Sequence, residues 1–136
     1  MPGFKERKVS AIKLLLVDDE TGFVNVLSKR LAKRSIEVTN AYNGTEAIQA
    51  LRKGQFDIAV LDLKMDDMDG LEVLKIFKKM DPDMPVLMLT GHGSEQAARE
   101  GIQSGAYDYL TKPYELEDLV EKIREAIERS KRGSAL

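Results

Sequence analysis

Short apolar segments alternate with amphipathic segments from one end of the chain to the other, and this alternation limits the possible folds most strongly. The apolar segments are predicted to be strands: IKLLLV (12–17), EVTNA (37–41), FDIAVL (56–61), PVLMLT (85–90) and AYDYL (106–110). Strands that alternate with helices pair in parallel through right-handed crossovers, and the helices cover both faces of the sheet. The sequence therefore predicts a doubly wound α/β fold in a single domain.

Five segments have the periodicity of amphipathic helices. They are residues 20–34, a segment that begins with the capping sequence NGTE at Asn43, residues 70–80, residues 94–105, and a segment from Leu116 that is expected to end before SKRGSAL. The fourth helix has a thin apolar stripe and an internal glycine, Gly101, which weakens a helix. We expect this helix to be the element that moves.

The polarity of the strands predicts their order in the sheet. The first, third and fourth strands are the most apolar and suit the centre, whereas EVTNA and AYDYL suit the edges. The resulting order is 2-1-3-4-5, as in flavodoxin-like (βα)5 folds, with the topological switch point between the first and third strands. Ligands bind at that point, beyond the carboxyl ends of the strands.

Composition excludes several classes of function. The chain has 136 residues and no cysteine, so disulfides, zinc–thiolate sites and thiol nucleophiles are excluded. Its 21 basic residues are balanced by 23 acidic residues, which argues against a nucleic-acid partner. No apolar run is long enough for a membrane span or a signal peptide, so we expect a cytoplasmic protein with no membrane partner.

Acidic residues follow the two strands that flank the switch point. Asp18 and Asp19 follow the first strand, and Asp62 follows the third. Neighbouring strands lie about 4.8 Å apart, so the three carboxylates should converge. Like charges about 4 Å apart repel by roughly 4 kcal/mol at an effective dielectric near 20. Oxygen ligands without nearby His or Cys favour Mg²⁺, with Mn²⁺ also suitable. Alternatively, Asp18 or Asp19 only caps the first helix.

A hydroxyl and an ammonium group are predicted at the same edge of the sheet. Thr90 ends the fourth strand, and Lys112 follows the fifth. Both could reach a group attached to Asp62, and the set is suited to holding a phosphoryl group. Phosphate-binding glycine motifs are absent, and the single histidine, His92, is interpreted as a bystander. Asp66, Asp67, Asp69 and Glu72 are interpreted mostly as a solvated loop and helix start.

In combination, these motifs resemble the response-regulator receiver domain of two-component signalling. The resemblance covers residues 12 to about 130 and rests on LLVDDE, DIAVLDLKMDDMDG, MLTGHG and GAYDYLTKPY, in that order. It divides the chain into an N-terminal extension (1–11), a receiver domain (12–130) and a C-terminal tail (131–136). The chain stops where a receiver stops, so it is either a stand-alone receiver or one cut from a larger regulator.

The resemblance assigns a role to each residue of the site. It implies that Asp62 is phosphorylated, that Asp19 contacts Mg²⁺ directly and Asp18 largely through water, and that the Lys64 carbonyl is a further metal ligand. Thr90 and Lys112 would bind phosphoryl oxygens, and Tyr109 would change its packing as Thr90 moves. The Lys112–Pro113 bond would be cis, an isomer found in about 5–6% of X-Pro bonds.

The resemblance also implies a function. A histidine kinase or phosphotransfer protein would donate the phosphoryl group, and a downstream protein would bind the fourth helix, fifth strand and fifth helix. The domain would catalyse only its own phosphorylation and dephosphorylation. Two alternatives are a docking module that works without phosphorylation and a metal-dependent hydrolase of small phosphate esters. The chain departs from the family pattern MPGMDG in reading MDDMDG, so Asp66 replaces the customary proline and the loop is expected to be looser.

Overall fold

The computed structural model describes residues 11–65, 67–91 and 94–135. Within these ranges, five strands alternate with five helices. In chain order the elements are β1 (Ile12–Val17), α1 (Thr21–Ala32), β2 (Ile36–Ala41), α2 (Gly44–Lys53), β3 (Ile58–Asp62), α3 (Gly70–Met80), β4 (Val86–Thr90), α4 (Glu95–Gln103), β5 (Asp108–Thr111) and α5 (Leu116–Ala135).

The strands form one parallel sheet in the order β2-β1-β3-β4-β5. Val17 at the end of β1 pairs with Leu61 of β3, and Asp62 pairs with Leu89 of β4. The carboxyl ends of the three central strands therefore lie at one edge of the sheet. The predicted doubly wound fold and strand order are confirmed.

Alternate side chains of the central strands enter two apolar layers. Leu14 and Leu16 of β1 pack with residues of α1 and α5, such as Leu27 and Ile123, on one face of the sheet. Leu15 and Val17 pack on the other face, with residues of α2 and α3. Every residue of β3 and β4 is buried, whereas β5 alternates between partly buried and exposed residues. This distribution explains why polarity predicted which strands are central.

Helix α4 lies on the same face as α3, and Gly101 permits its close approach to the sheet. A Cβ added at Gly101 would lie 2.1 Å from Met88 Sδ on β4. Helix propensity alone predicts only that this glycine weakens the helix. The structure shows that it also provides the space for the Met88 side chain.

The predicted end of the last helix is wrong, because α5 continues to Ala135 through most of SKRGSAL. The segment contains no proline, and its basic residues lie near the helix C-terminus, where the helix dipole favours cations. The Ser130 hydroxyl also donates a hydrogen bond to the Asp83 carbonyl at 2.6 Å. The predicted tail boundary at residue 130 therefore does not coincide with a helix end. In the described ranges, no helix is long and apolar enough to cross a bilayer.

Candidate functional site

Three carboxylates converge at the carboxyl edge of the sheet, beside the switch point. Oxygens of Asp18, Glu20 and Asp62 lie within 4.8 Å of one another. Asp18 is 0% exposed and Asp62 is 6% exposed. They are close because Asp18 follows Val17 and Asp62 follows Leu61, and these two apolar residues are paired across β1 and β3. The predicted convergence of Asp18 and Asp62 is therefore observed.

The third carboxylate of this group is Glu20, which the sequence analysis did not select. Asp19 lines the same cleft of about 330 Å³ as Glu20, Asp62 and Lys64. Among the described residues, however, the close group consists of Asp18, Glu20 and Asp62. The turn after β1 brings the residue two positions beyond Asp18 back toward it, since the Glu20 N–H donates to Asp18 Oδ1 at 3.0 Å.

The alternative that Asp18 or Asp19 only caps α1 is wrong. The N-cap position of α1 is Glu20, whose side chain makes no capping hydrogen bond. The buried Asp18 carboxylate instead accepts from the Glu20 N–H and from Lys112 Nζ.

Lys112 places one ammonium group among all three carboxylates. Its Nζ lies 3.3 Å from Asp18 Oδ2, 3.5 Å from Asp62 Oδ2 and 3.6 Å from Glu20 Oε1. The predicted cis isomer of the Lys112–Pro113 bond is confirmed. With all four groups ionised, three negative charges face one positive charge, which leaves a formal charge of −2. A cluster of hard oxygen atoms with this charge suits a divalent cation.

The environment shifts the pKa values of the two central groups. Burial raises the pKa of the Asp62 carboxyl above its ordinary value, although the Lys64 N–H, which donates to Asp62 Oδ1 at 3.1 Å, and Lys112 oppose the shift. Burial lowers the pKa of Lys112, but the Asp62 and Asp18 carboxylates more than offset this effect and the net direction is upward. Lys112 is therefore a permanent cation at neutral pH.

Thr90 and Tyr109 occupy the adjoining strand ends. Thr90 is 3% exposed, and its Oγ1 lies 3.4 Å from both the Leu110 carbonyl oxygen and Thr111 Oγ1. The hydroxyl thus faces β5 in this conformation. Tyr109 is 38% exposed, so its ring lies largely at the surface.

Two acidic residues after Asp62, which the sequence predicts to lie mostly in a solvated loop and a helix start, make specific contacts. Asp69 caps α3 by accepting from the Leu71 N–H at 3.1 Å, as a helix start requires. Asp67 accepts three hydrogen bonds from Gly44 and Thr45 at the start of α2. Asp66 and His92, which also entered the sequence analysis, lie outside the described residues.

A further residue that sequence reasoning missed is Tyr114, which follows Pro113. Its hydroxyl is buried without a hydrogen-bond partner among the described residues. Burial raises its pKa, and the Asp18 and Asp62 carboxylates add to the shift. The signal that could have identified it is its position in the TKPY motif, directly after the residues that enter the site.

Comparison with known proteins identifies a family for this chain. The family model described as response regulator receiver domain matches residues 14–124. The transcriptional regulatory protein GlrR of Escherichia coli K12 is 38% identical over 117 residues, which are 86% of this chain and 26% of that protein. The transcriptional regulatory protein TrcR of Mycobacterium tuberculosis is 38% identical over 130 residues, which are 96% of this chain and 51% of that protein. The chain thus spans between a quarter and half of the length of these relatives.

Solved structures show the same architecture. A CheY-like response regulator receiver domain protein from Methanospirillum hungatei has a TM-score of 0.87 and 31% identity, and the match covers 91% of this chain and 99% of that one. The fold and the acidic cluster define a CheY-like signalling domain of the two-component type. The chain belongs to the response regulator receiver domain family.

Proposed function

We propose that this chain accepts a phosphoryl group on Asp62 from a histidine kinase or a phosphotransfer protein, in a reaction that requires Mg²⁺. The observation that carries the proposal is the placement of Asp62, which is buried beside Asp18 and Glu20 and within 3.5 Å of Lys112 Nζ. We assign this function to a receiver domain of residues 12–130, flanked by segments 1–11 and 131–136.

The residues of the cluster fit a magnesium ion. Asp18, Asp62 and the Lys64 carbonyl would hold the cation, together with Asp19 or Glu20, both of which line the same cleft. Mn²⁺ has the same preference for oxygen ligands and would substitute. When bound, the cation neutralises charge on the transferring phosphoryl group and on the carboxylate that receives it.

The phosphorylation step exchanges one bond to phosphorus for another. An oxygen of the Asp62 carboxylate forms a bond to phosphorus, and the bond from phosphorus to the donor nitrogen of phosphohistidine breaks. The electron pair of that bond leaves with the imidazole. The Lys64 N–H holds Asp62 Oδ1 in place, and Lys112 supplies a positive charge beside Oδ2. The chain's own contribution is positioning and charge stabilisation, which dominate phosphoryl transfer.

The response to phosphorylation would begin at Thr90. A phosphoryl oxygen on Asp62 would draw the Thr90 hydroxyl away from Leu110 and Thr111, and the Tyr109 ring would then pack inward. The exposed Tyr109 and Ile102 lie on the surface formed by α4, β5 and α5, where a downstream protein would bind. A ligand shifts such an equilibrium only through its different affinity for the two states.

The test is phosphorylation by a small donor, followed by intact mass measurement. With Mg²⁺ and acetyl phosphate or phosphoramidate, the protein should gain the mass of one phosphoryl group, and Asp62→Asn should not. The control is Asp57→Asn, which changes an acid that precedes β3, at the other end of the strand from Asp62. An unchanged mass with every donor would instead favour a docking module that works without phosphorylation.

A further inference from the structure

The Asp67 side chain joins the loop after β3 to the start of α2. The Gly44 N–H donates to Asp67 Oδ1 at 2.9 Å, and the Thr45 N–H and hydroxyl both donate to Oδ2 at 3.1 Å. Both oxygens of the exposed Asp67 carboxylate therefore accept hydrogen bonds. These hydrogen bonds lower the pKa of Asp67, with the Gly44 N–H as the largest cause. We refer to the three hydrogen bonds together as the Asp67 contact.

The Asp67 contact supplies acceptors for two N–H groups in the first turn of α2. The first four N–H groups of a helix have no partner within the helix. Asn43 Oδ1 accepts from the Glu46 N–H at 2.8 Å, and the Asn43 carbonyl accepts from the Ala47 N–H at 3.0 Å. The Ala47 bond is the first within the helix, and of the N–H groups before it, those of Gly44 and Thr45 donate to Asp67. A carboxylate at this position also interacts favourably with the helix dipole.

Close packing holds the loop against α2 beside the Asp67 contact. A Cβ added at Gly44 would lie 2.9 Å from Met68 Sδ and 3.0 Å from Val73 Cγ2. The side chain of Met68, which follows Asp67, therefore packs directly against Gly44, the first residue of α2. A larger side chain at position 44 would have to displace the side chains of Met68 and Val73.

The other end of the same loop reaches the phosphorylation site. The Lys64 N–H donates to Asp62 Oδ1 at 3.1 Å. A Cβ added at Gly70 would lie only 2.6 Å from Leu63 Cα, so the two ends of the loop are in backbone contact. The loop between these ends therefore links Asp67 along the chain to the backbone of Leu63 and Lys64.

We propose that Asp67 is a positioning residue: it fixes the loop to α2 and so holds the Lys64 backbone in the place that Asp62 and the metal ion need. The family pattern MPGMDG has glycine at this position and proline before it, and MDDMDG has neither. The Asp67 contact supplies the rigidity that the missing proline would have given. The inference rests on the proposed function of the site.

The experiment measures Mg²⁺ affinity of the folded protein by amide NMR titration with MgCl₂. Because the Lys64 backbone would lose its fixed position, Asp67→Ala should weaken the Mg²⁺ affinity roughly fivefold, which corresponds to about 1 kcal/mol. Gly44→Ala should also weaken Mg²⁺ binding, although alanine is the better helix former.

The matched control is Asn43→Ala, which removes a cap from the same helix without touching the loop. It should lower the melting temperature and leave the Mg²⁺ affinity within twofold of wild type. Equal Mg²⁺ affinity in wild type and Asp67→Ala would refute the positioning role, as would an equal loss in Asn43→Ala and Asp67→Ala. If wild type itself neither binds Mg²⁺ nor accepts a phosphoryl group, the proposed function fails, which is a separate result.

Discussion

Replacing Lys112 with methionine tests how strongly one cation stabilises the acidic cluster. At an effective dielectric near 20, a charge pair at about 3.4 Å gains roughly 5 kcal/mol before desolvation is subtracted. Two carboxylates lie near that distance from Lys112 Nζ, at 3.3 Å for Asp18 and 3.5 Å for Asp62. Removing one partner of a buried pair destabilises a protein by about 3–5 kcal/mol. The Lys112 side chain is 25% exposed, so we expect a smaller loss of about 2 kcal/mol in the absence of metal.

The assay is urea unfolding followed by circular dichroism, in EDTA and in saturating Mg²⁺. Mg²⁺ stabilises the folded state according to its concentration and affinity. Because the variant has three carboxylates and no ammonium, its stability should rise more on adding Mg²⁺ than that of wild type. Lys112→Met would thus be less stable than wild type in EDTA and closer to it in Mg²⁺.

The control is Lys122→Met, which breaks a pair with Asp108 at 2.6 Å between side chains that are 31% and 34% exposed. Exposed pairs contribute about 0–1 kcal/mol, and this pair lies away from the cluster, so the Mg²⁺ response should equal that of wild type. Equal stability of Lys112→Met and wild type in EDTA would refute the electrostatic account of the cluster. If Mg²⁺ raised the stability of Lys112→Met and of wild type equally, the link between Lys112 and metal binding would be refuted.

Three further predictions concern single residues of the site. Burial raises the pKa of Asp62 above 3.8 in the folded state, so the contribution of this group to stability is greatest below pH 3.8 and falls as the pH rises through the folded pKa. Asp62→Asn should therefore stabilise the metal-free protein at pH 7, and the difference from wild type should vanish in acid, as thermal unfolding against pH would show. Glu20→Gln and Asp19→Asn should each weaken Mg²⁺ binding in NMR titration, and the larger effect identifies the direct ligand, whereas no effect from either would exclude both. Thr90→Ala should still accept a phosphoryl group but lose the beryllofluoride-induced amide shifts over residues 94–120; a full set of shifts in the variant would contradict the switch.

The architecture and the buried part of the site could be predicted because they follow from local patterns. Apolar strands that alternate with amphipathic helices form a parallel sheet. Residues that directly follow paired strand ends are therefore neighbours. Asp18 and Asp62 were therefore identified from the sequence. Lys112 could also be placed, since it follows the last strand at the same edge of the sheet.

The features that sequence reasoning missed depend on turns and on contacts between elements. Glu20 joins the cluster through the path of the turn after β1, which no residue pattern specifies. Asp67 was interpreted as solvated because its partners, Gly44 and Thr45, lie more than twenty positions away in the chain. Gly101 was interpreted through helix propensity alone, whereas its role depends on the Met88 side chain beneath it. In each case the deciding contact is tertiary.

The most direct test of the central claim is to locate the phosphoryl group. After phosphorylation with acetyl phosphate and Mg²⁺, borohydride reduces an aspartyl phosphate to homoserine, with loss of the phosphate, and peptide mass spectrometry identifies the residue. The account predicts homoserine at position 62, dependent on Mg²⁺ and absent when the cation is removed by EDTA. Homoserine at Asp18, Asp19 or another acid, or formation at Asp62 without any divalent cation, would contradict it.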